Sequence, residues 1–468
     1  MRPLFRRLIL FLALPSFLLT AGLGCKAPDA TTVERSKPVT LNYWRVFDDE
    51  DAIRPLITAY QKLHPNVTIN FKRLTYDEYE QTALNALAED RGPDILSLHN
   101  DWLVRWEPRL LAAPPALSVA YQEEQGSIKK ELVWTVKTVA APTPKQVKND
   151  FADVVASDVV IPTPQSDPRM PLVDKVYGLP LALDTMVLYF NRDILNAAGI
   201  AAPAAQWQDF QDQIKKLTKL DETGAILSSG AAIGTSNNVN RSSDLLAALM
   251  MQNGAPMTDQ NGVVAFDKLP AEMTGRAATP GAEALVFYTD FANPEKEVYT
   301  WNAKMPNSLQ AFINGQTAYY FGYAYDLSAI RATPHPPNFG IAPFPQIQGN
   351  KPVNFANYWV ETVSKKTKYP NEAWDFIQFI TQAQQVQQYL TRAKKPTALR
   401  SLVNSQLEDL DLSTFASEVL TAKSWYHGTD PFAAEKALND LVNSQLAGEA
   451  DTQRLLEIAA AKINQTVK

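Results

Sequence analysis

Aromatic rings beside polar residues are the commonest chemical resource of this chain. Of its nine tryptophans, Trp44, Trp102, Trp301, Trp359 and Trp425 stand at expected strand ends or helix starts, next to small or polar residues. Tyr323 and Tyr325 flank Ala324 in an expected turn. Flat apolar faces with hydrogen-bonding neighbours suit ligands built the same way, and sugars are such ligands. The competing reading is that each ring packs into its own core, as helical periodicity indicates for Trp207 and Trp374. Covalent chemistry has little to work with. There is no Gly-x-Ser-x-Gly elbow, and Cys25 is the single cysteine. The four histidines (64, 99, 335 and 427) are scattered without a His-x-x-x-His pair, which argues against zinc. No phosphate-binding or dinucleotide glycine loop occurs, so no cofactor is expected. No catalytic residue is assigned. Paired carboxylates for glycoside hydrolysis stay open, because acids distant in sequence can meet in space.

The N-terminus reads as an export signal. Arg2, Arg6 and Arg7 precede an apolar run from Leu8 to Leu19, and small residues follow at Ala21, Gly22 and Gly24. The run is short for a membrane span and sits where a signal peptide sits, so residues 1–24 are expected to be removed. Cys25 follows directly. It cannot form an internal disulfide, and its position resembles the cleavage site of bacterial lipoproteins, where the cysteine becomes the lipid-carrying first residue. Gly22 departs from the leucine usual in such sites. Residues 25–37 are polar and read as a flexible tether. The expectation is an exported protein, lipid-anchored to the outer face of the cell membrane. Loss of the three leader arginines takes the formal charge from -6 to -9, which argues against nucleic acid. The rest of the chain is long enough for two or three domain cores.

The elements that must position the rings begin with Thr40 to Val46, an alternating strand. Ile53, Leu56, Ile57, Tyr60 and Leu63 then recur at helical spacing, and the acidic run from Asp48 to Asp51 reads as an N-terminal cap for that helix. Val67 to Leu74 is a second strand. Thr75 and Glu78 form a capping-box pattern for a helix reaching about Asp90, and Asp94 to Leu98 is a third strand. Strand, helix, strand, helix, strand is a parallel α/β sheet, with ligands expected at the strands' carboxyl ends, near Trp44 to Phe47 and His99 to Trp102. Residues 112–176 are proline-rich and irregular, with one short helix expected at Val147 to Val155. Later come a strand-like run from Leu181 to Asn191 and helices at Arg192 to Ala198, Ser243 to Gln252, Ala282 to Phe291 and Ser308 to Asn314. Thr317 to Tyr325 reads as a strand entering an aromatic loop. Further strands follow at Phe339 to Phe344 and Trp359 to Val363, then one long helix at Asn371 to Leu390.

Several stretches, in order, resemble the extracellular solute-binding proteins of ATP-driven importers, in the cluster that includes maltose- and multi-sugar-binding members. They are VTLNYWRV, LITAYQKLHPNVTINF, ALNALAEDRGPDILSLHNDW, VYGLPLALDTMVLYFNRDILNAAGI, AFINGQTAYYFGYAYDL and PNEAWDFIQFIT. The resemblance covers nearly everything from Val39 onward. It implies a two-lobed, type II periplasmic-binding-protein-like fold with a hinge: lobe one from 38–182 and 340–395, lobe two from 183–339 and 396–468. It also implies a small-molecule ligand in the cleft, an importer permease as partner, and action as a monomeric, non-enzymatic receptor. Matched positions suggest ligand contacts at Trp44, Asp101, Trp102, Asp184, Tyr323, Tyr325, Trp425 and Tyr426, with Trp301, Asn357 and Trp359 as looser assignments. The leading expectation is a carbohydrate receptor. A polyamine or peptide ligand is the alternative within binding proteins, since Asp101 and Asp184 could face amines. A surface glycoside hydrolase or an adhesin is the alternative of another class.

Overall fold

The computed structural model describes residues 29–126, 130–165, 167 and 169–467. The signal segment and Cys25 lie outside the described residues. The described residues form seventeen strands: β1 (Val39–Val46), β2 (Val67–Leu74), β3 (Ile95–His99), β4 (Ala116–Gln125), β5 (Glu131–Ala140), β6 (Val160–Thr163), β7 (Val173–Val176), β8 (Gly178–Pro180), β9 (Asp184–Thr185), β10 (Val187–Asn191), β11 (Lys219–Leu220), β12 (Ile226–Ala231), β13 (Thr317–Gly322), β14 (Phe339–Pro343), β15 (Asn354–Asn357), β16 (Trp359–Val363) and β17 (Ala422–Lys423).

The opening pattern folds as its periodicity dictates. The helices Glu50–Leu63 and Tyr76–Ala88 connect β1 to β2 and β2 to β3, and β1 pairs in parallel with both strands. The first helix buries Ile53, Leu56, Ile57 and Tyr60 against the sheet, the inward stripe its spacing predicted. Thr75 and Glu78 form the reciprocal capping box, with the Thr75 N–H donating to Glu78 Oε1 at 3.0 Å. Antiparallel β16 and β8 complete this sheet in the order β2-β1-β3-β16-β8. Gly178 is required there, because a Cβ would lie 2.6 Å from the Glu361 carbonyl oxygen.

A second five-stranded sheet has the order β11-β12-β13-β10-β14. The two sheets have separate hydrophobic cores. One takes Val39 to Leu183 and resumes at Ala356; the other takes Met186 to Phe344 and resumes at Trp425. The chain passes between them at β9, β15 and β17, which are bonded to one another as a small third sheet. Side chains brace this joint: the Thr185 hydroxyl donates to the Phe415 carbonyl at 3.0 Å, and the Asn354 amide to Glu418 at 2.7 Å. Backbone-paired crossings of this kind permit rotation of two packed bodies about a few residues.

Several sequence expectations shift. β14 pairs with β10, so residues 340–343 belong to the second sheet instead of the first lobe. Ala398 to Val403 pack in the first core, not with the second lobe. The expected single helix at Asn371 to Leu390 is two, Pro370–Ile380 and Ala383–Ala393. The helix expected at Val147 to Val155 is also two, Pro144–Asp150 and Asp153–Val159. The irregular segment instead supplies a long β4–β5 hairpin, whose inner face buries Leu117 and Val119. Asp48 is no helix cap. It is buried in an ion-pair network with Arg45 and Lys395.

Candidate functional site

Lobe one ends its parallel strands in a wall of rings. Trp359, the first residue of β16, is the hub. It meets Phe47 at 5.7 Å, Trp102 at 5.6 Å, Tyr79 at 6.1 Å and Tyr76 at 6.3 Å, all edge-on. Phe47 stacks on Tyr76 at 5.9 Å with the rings 14° apart. Trp102 carries the wall to Phe432, 5.7 Å away on the segment entering the second lobe. Phe47, Tyr76 and Phe432 are 59%, 41% and 42% exposed. Large rings held edge to edge yet left open to solvent form a face for another flat apolar surface.

The exposure of Phe47 has a local cause. Asp48 is drawn inward by Arg45, by the Tyr389 hydroxyl at 3.0 Å and by Lys395 Nζ at 2.6 Å. Its N–H closes a three-residue turn onto the Val46 carbonyl at 2.9 Å. Phe47, between them, is forced to φ 68° and outward. A phenylalanine in the left-handed region is strained, and such strain is held only where the surroundings fix it. Arg45 also donates to Glu361 at 2.5 Å, and the Tyr43 hydroxyl donates to the same carboxylate at 2.8 Å. The buried network therefore anchors the base of the wall.

Beside the wall lies a polar pocket between the lobes. His99, Asn100 and Asp101, at the carboxyl end of β3, face Arg241, Asp244 and Glu435 of the second lobe, with Phe355, Ser424, Trp425 and Tyr426 closing the sides. Its free volume is about 50 Å³, enough for a water or two, whereas a cavity for benzene takes about 150 Å³. A sugar enters only if the lobes part. Arg241 precedes the helix Ser242–Gln252 at φ 54° and lays Nε and Nη2 on Asp244 at 2.7 and 3.0 Å. The Tyr323 hydroxyl donates to the same carboxylate at 2.7 Å. His99 pairs with Asp101 through Nδ1 and meets Asn357 Oδ1 through Nε2 at 3.1 Å. Burial alone would lower the His99 pKa, but the Asp101 carboxylate outweighs it and holds the imidazole above its ordinary value.

A clasp joins the lobes near the hinge. Asp158 accepts from Asn100 at 3.0 Å and from the Tyr358 hydroxyl at 2.6 Å, both within lobe one. It also accepts from the Ser424 hydroxyl and from His427 Nε2 at 2.9 Å, on the incoming segment. Arg105, bonded to Glu80 at 2.7 Å, reaches across to the Thr429 carbonyl at 3.4 Å.

The expected residues are distributed unevenly. Asp101, Asn357, Trp102 and Trp359 meet at the carboxyl ends of the lobe-one strands. Tyr325 is 46% exposed and stacks on buried Tyr323 at 5.5 Å. Neither lies in a loop: Tyr323 caps the helix Ala324–Arg331, of which Tyr325 is the second residue. Asp184 anchors that helix from β9, its Oδ1 accepting from the Ala324 N–H at 3.0 Å, and burial raises its pKa to about 7. Trp425 and Tyr426 start no helix. They pack into the second core and present one side to the pocket.

Two residues do not reach the cleft. Trp44 sits mid-strand in β1 with Lys72 Nζ 4.4 Å above its ring, because alternation along a strand turns it away from the face used by Tyr43. Trp301 is fully buried among Ala232, Val239 and Ala311, bonded to Asn238 at 3.1 Å, and has no surface to offer a ligand. Sequence reading singled out none of Tyr76, Phe432, Arg241, Asp244 and Glu435, and reached Phe47 only as the end of the stretch from Trp44. Phe47 carried a signal, since it directly follows a strand at an expected binding edge. Tyr76 joins Phe47 within lobe one, and the charges of the second lobe meet His99 and Asp101 only through the packing of the lobes.

Among the described residues, no group of His, Cys, Asp and Glu is arranged to hold a metal, and no helix is long and apolar enough to cross a membrane. A probable ABC transporter-binding protein of Deinococcus radiodurans is 22% identical over 233 residues, 49% of this chain and 52% of that protein. A multiple sugar-binding protein of Streptococcus mutans is 25% identical over 288 residues, 59% of this chain and 65% of that one. The matched stretches thus span half to two thirds of these relatives. The fold is that of a cyclic alpha-maltosyl-1,6-maltose binding protein from Arthrobacter globiformis, with a TM-score of 0.70 at 18% identity over 92% of this chain and 99% of that one. A cyclo/maltodextrin-binding protein solved with maltotetraose gives 0.66 at 16% identity, over 92% and 97%. Residues 47–387 match the family of bacterial extracellular solute-binding proteins, a family of binders and not of enzymes, and with most of its length inside that match this chain belongs to it.

Proposed function

We propose that this chain is the extracytoplasmic receptor of an ATP-driven importer and that it captures a carbohydrate between its lobes. The observation that carries the reading is the half-open aromatic wall Phe47–Tyr76–Trp359–Trp102, set against polar groups that include His99, Asp101 and Asn357. A pyranose ring stacks its C–H face on such a wall and turns its hydroxyls to the polar edge. On this reading Asp101 and Asn357 meet hydroxyls from lobe one, while Trp102 and Trp359 stack. From lobe two, Tyr325 stacks on its Tyr323 support, Asp184 accepts a hydroxyl, and Trp425 and Tyr426 line the inner end. A ligand touching both lobes favours the closed form by its differential affinity, and the permease reads that form.

The curated relatives with importer- and sugar-binding names support this reading. The same proposal places the protein outside the cytoplasm as a monomer tethered through a lipid on Cys25. A melting-temperature screen of oligosaccharides, polyamines and short peptides tests the ligand class, since a ligand bound only by the folded protein raises the midpoint. Stabilisation by sugars, left uncleaved, is the expected result. Stabilisation by amines or peptides alone overturns the carbohydrate reading, and glycan cleavage overturns the receptor reading.

A further inference from the structure

Glu435 is the pocket's odd charge. It lies on the helix Pro431–Ala447, four residues after buried Pro431 and three before buried Leu438, on the inward stripe where an apolar residue is the default. It is partly buried and lines the space between the lobes. It has no hydrogen bond or ion pair with any described residue. The other charges there are already matched in pairs, Arg241 with Asp244 and His99 with Asp101. Three carboxylates therefore face one arginine and one histidine, and the carboxylate with no bonded partner is Glu435. Its carboxyl pKa is raised, by burial first; Arg241 and His99 oppose this, and Asp244 and Asp101 add to it.

A half-desolvated carboxylate without a partner is costly, and the cost grows when the lobes close and water leaves. A neutral sugar gives it a hydroxyl but leaves the charge uncompensated. A ligand carrying an ammonium group supplies hydrogen bonds and the missing charge together. From this geometry we infer that Glu435 determines specificity and selects sugars bearing a protonated amine over their neutral counterparts. The inference rests on the carbohydrate reading above and deepens it.

The experiment is calorimetric titration of wild-type protein and Glu435→Gln with maltose, cellobiose and the 2-amino-2-deoxy counterpart of each, at low and at 0.5 M salt. In the wild type at least one amino sugar should bind about tenfold tighter than its neutral partner, the span of one charge-assisted hydrogen bond. That ratio should shrink in 0.5 M salt and fall towards one in Glu435→Gln. The wild-type ratio and its salt response test the inference even if the variant does not fold. Equal affinity for amino and neutral sugars in the wild type, or an amine preference that Glu435→Gln retains, overturns the inference and leaves the carbohydrate reading in place. Binding of none of the four sugars overturns both.

Discussion

Asp184→Asn should make the protein more stable above neutral pH. Asp184 Oδ1 accepts the Thr185 N–H at 2.9 Å and the Ala324 N–H at 3.0 Å. An asparagine carbonyl can accept both, so the substitution removes the charge and keeps the hydrogen bonds. Burial raises the Asp184 pKa from 3.8 to about 7, with nearby Asp326 adding to the rise and Lys395 opposing it. A group whose folded pKa lies above its unfolded value gives stability that is fully present below the unfolded pKa and is lost as pH rises through the folded one. The wild type should therefore lose stability between about pH 4 and pH 7 through this residue. The full difference corresponds to about 4 kcal/mol, which partial solvent access reduces to about 2–3 kcal/mol. Asp326, raised to about 6 by burial, titrates beside it and follows the same sign. The informative quantity is thus the difference between the two proteins. Melting curves from pH 4.5 to 8.5 should diverge as pH rises, with Asp184→Asn ahead by about 2–3 °C at the alkaline end. A variant that melts below wild type at pH 8.5, or two curves that stay parallel, would show that this carboxyl is not a buried charge and refute the reasoning.

Other substitutions test the wall, the clasp and the buried network. Phe47→Ala and Tyr76→Ala should each weaken sugar binding about 3–10-fold, the span of one stacking contact, while Trp44→Ala leaves affinity unchanged; calorimetry that ranks Trp44 with Phe47 would contradict the placement of the wall. Asp158→Ala strands the Tyr358 hydroxyl and the Asn100 amide and cuts two bonds to the second lobe, so it should cost about 2–4 kcal/mol. Small-angle scattering should also show a larger radius of gyration, and an unchanged radius would remove the clasp. Arg45→Met leaves the buried Glu361 carboxylate without its cation, while Asp48 keeps Lys395, and should cost about 3–5 kcal/mol in chemical denaturation; a loss under 1 kcal/mol would show that the network is already solvated.

Where the chain's own period decided the structure, the sequence was enough. The inward stripe of Ile53, Leu56, Ile57 and Tyr60 dictated a helix against a sheet, the Thr75–Glu78 box placed the start of the next helix, and alternation marked β1, β2 and β3, because these are interactions among residues a few positions apart. Positions at the carboxyl ends of those strands were legible for the same reason; Asp101 and Trp102 lie there, with Trp359 beside them at the amino end of antiparallel β16. What tertiary structure decided was which rings stay open to solvent. Trp301 and Phe47 are both aromatic residues at the edge of an element, and nothing local separates them. A separate small cluster with Ala232, Val239 and Ala311 buries Trp301, while Arg45, Tyr389 and Lys395, the last two more than 300 residues away, pull Asp48 inward and turn Phe47 out. The pocket charges follow the same rule. Asp244 and Glu435 are ordinary helix residues and Arg241 directly precedes a helix, and they line one pocket with His99 and Asp101 only where two separately packed lobes meet across a hinge of three paired strands.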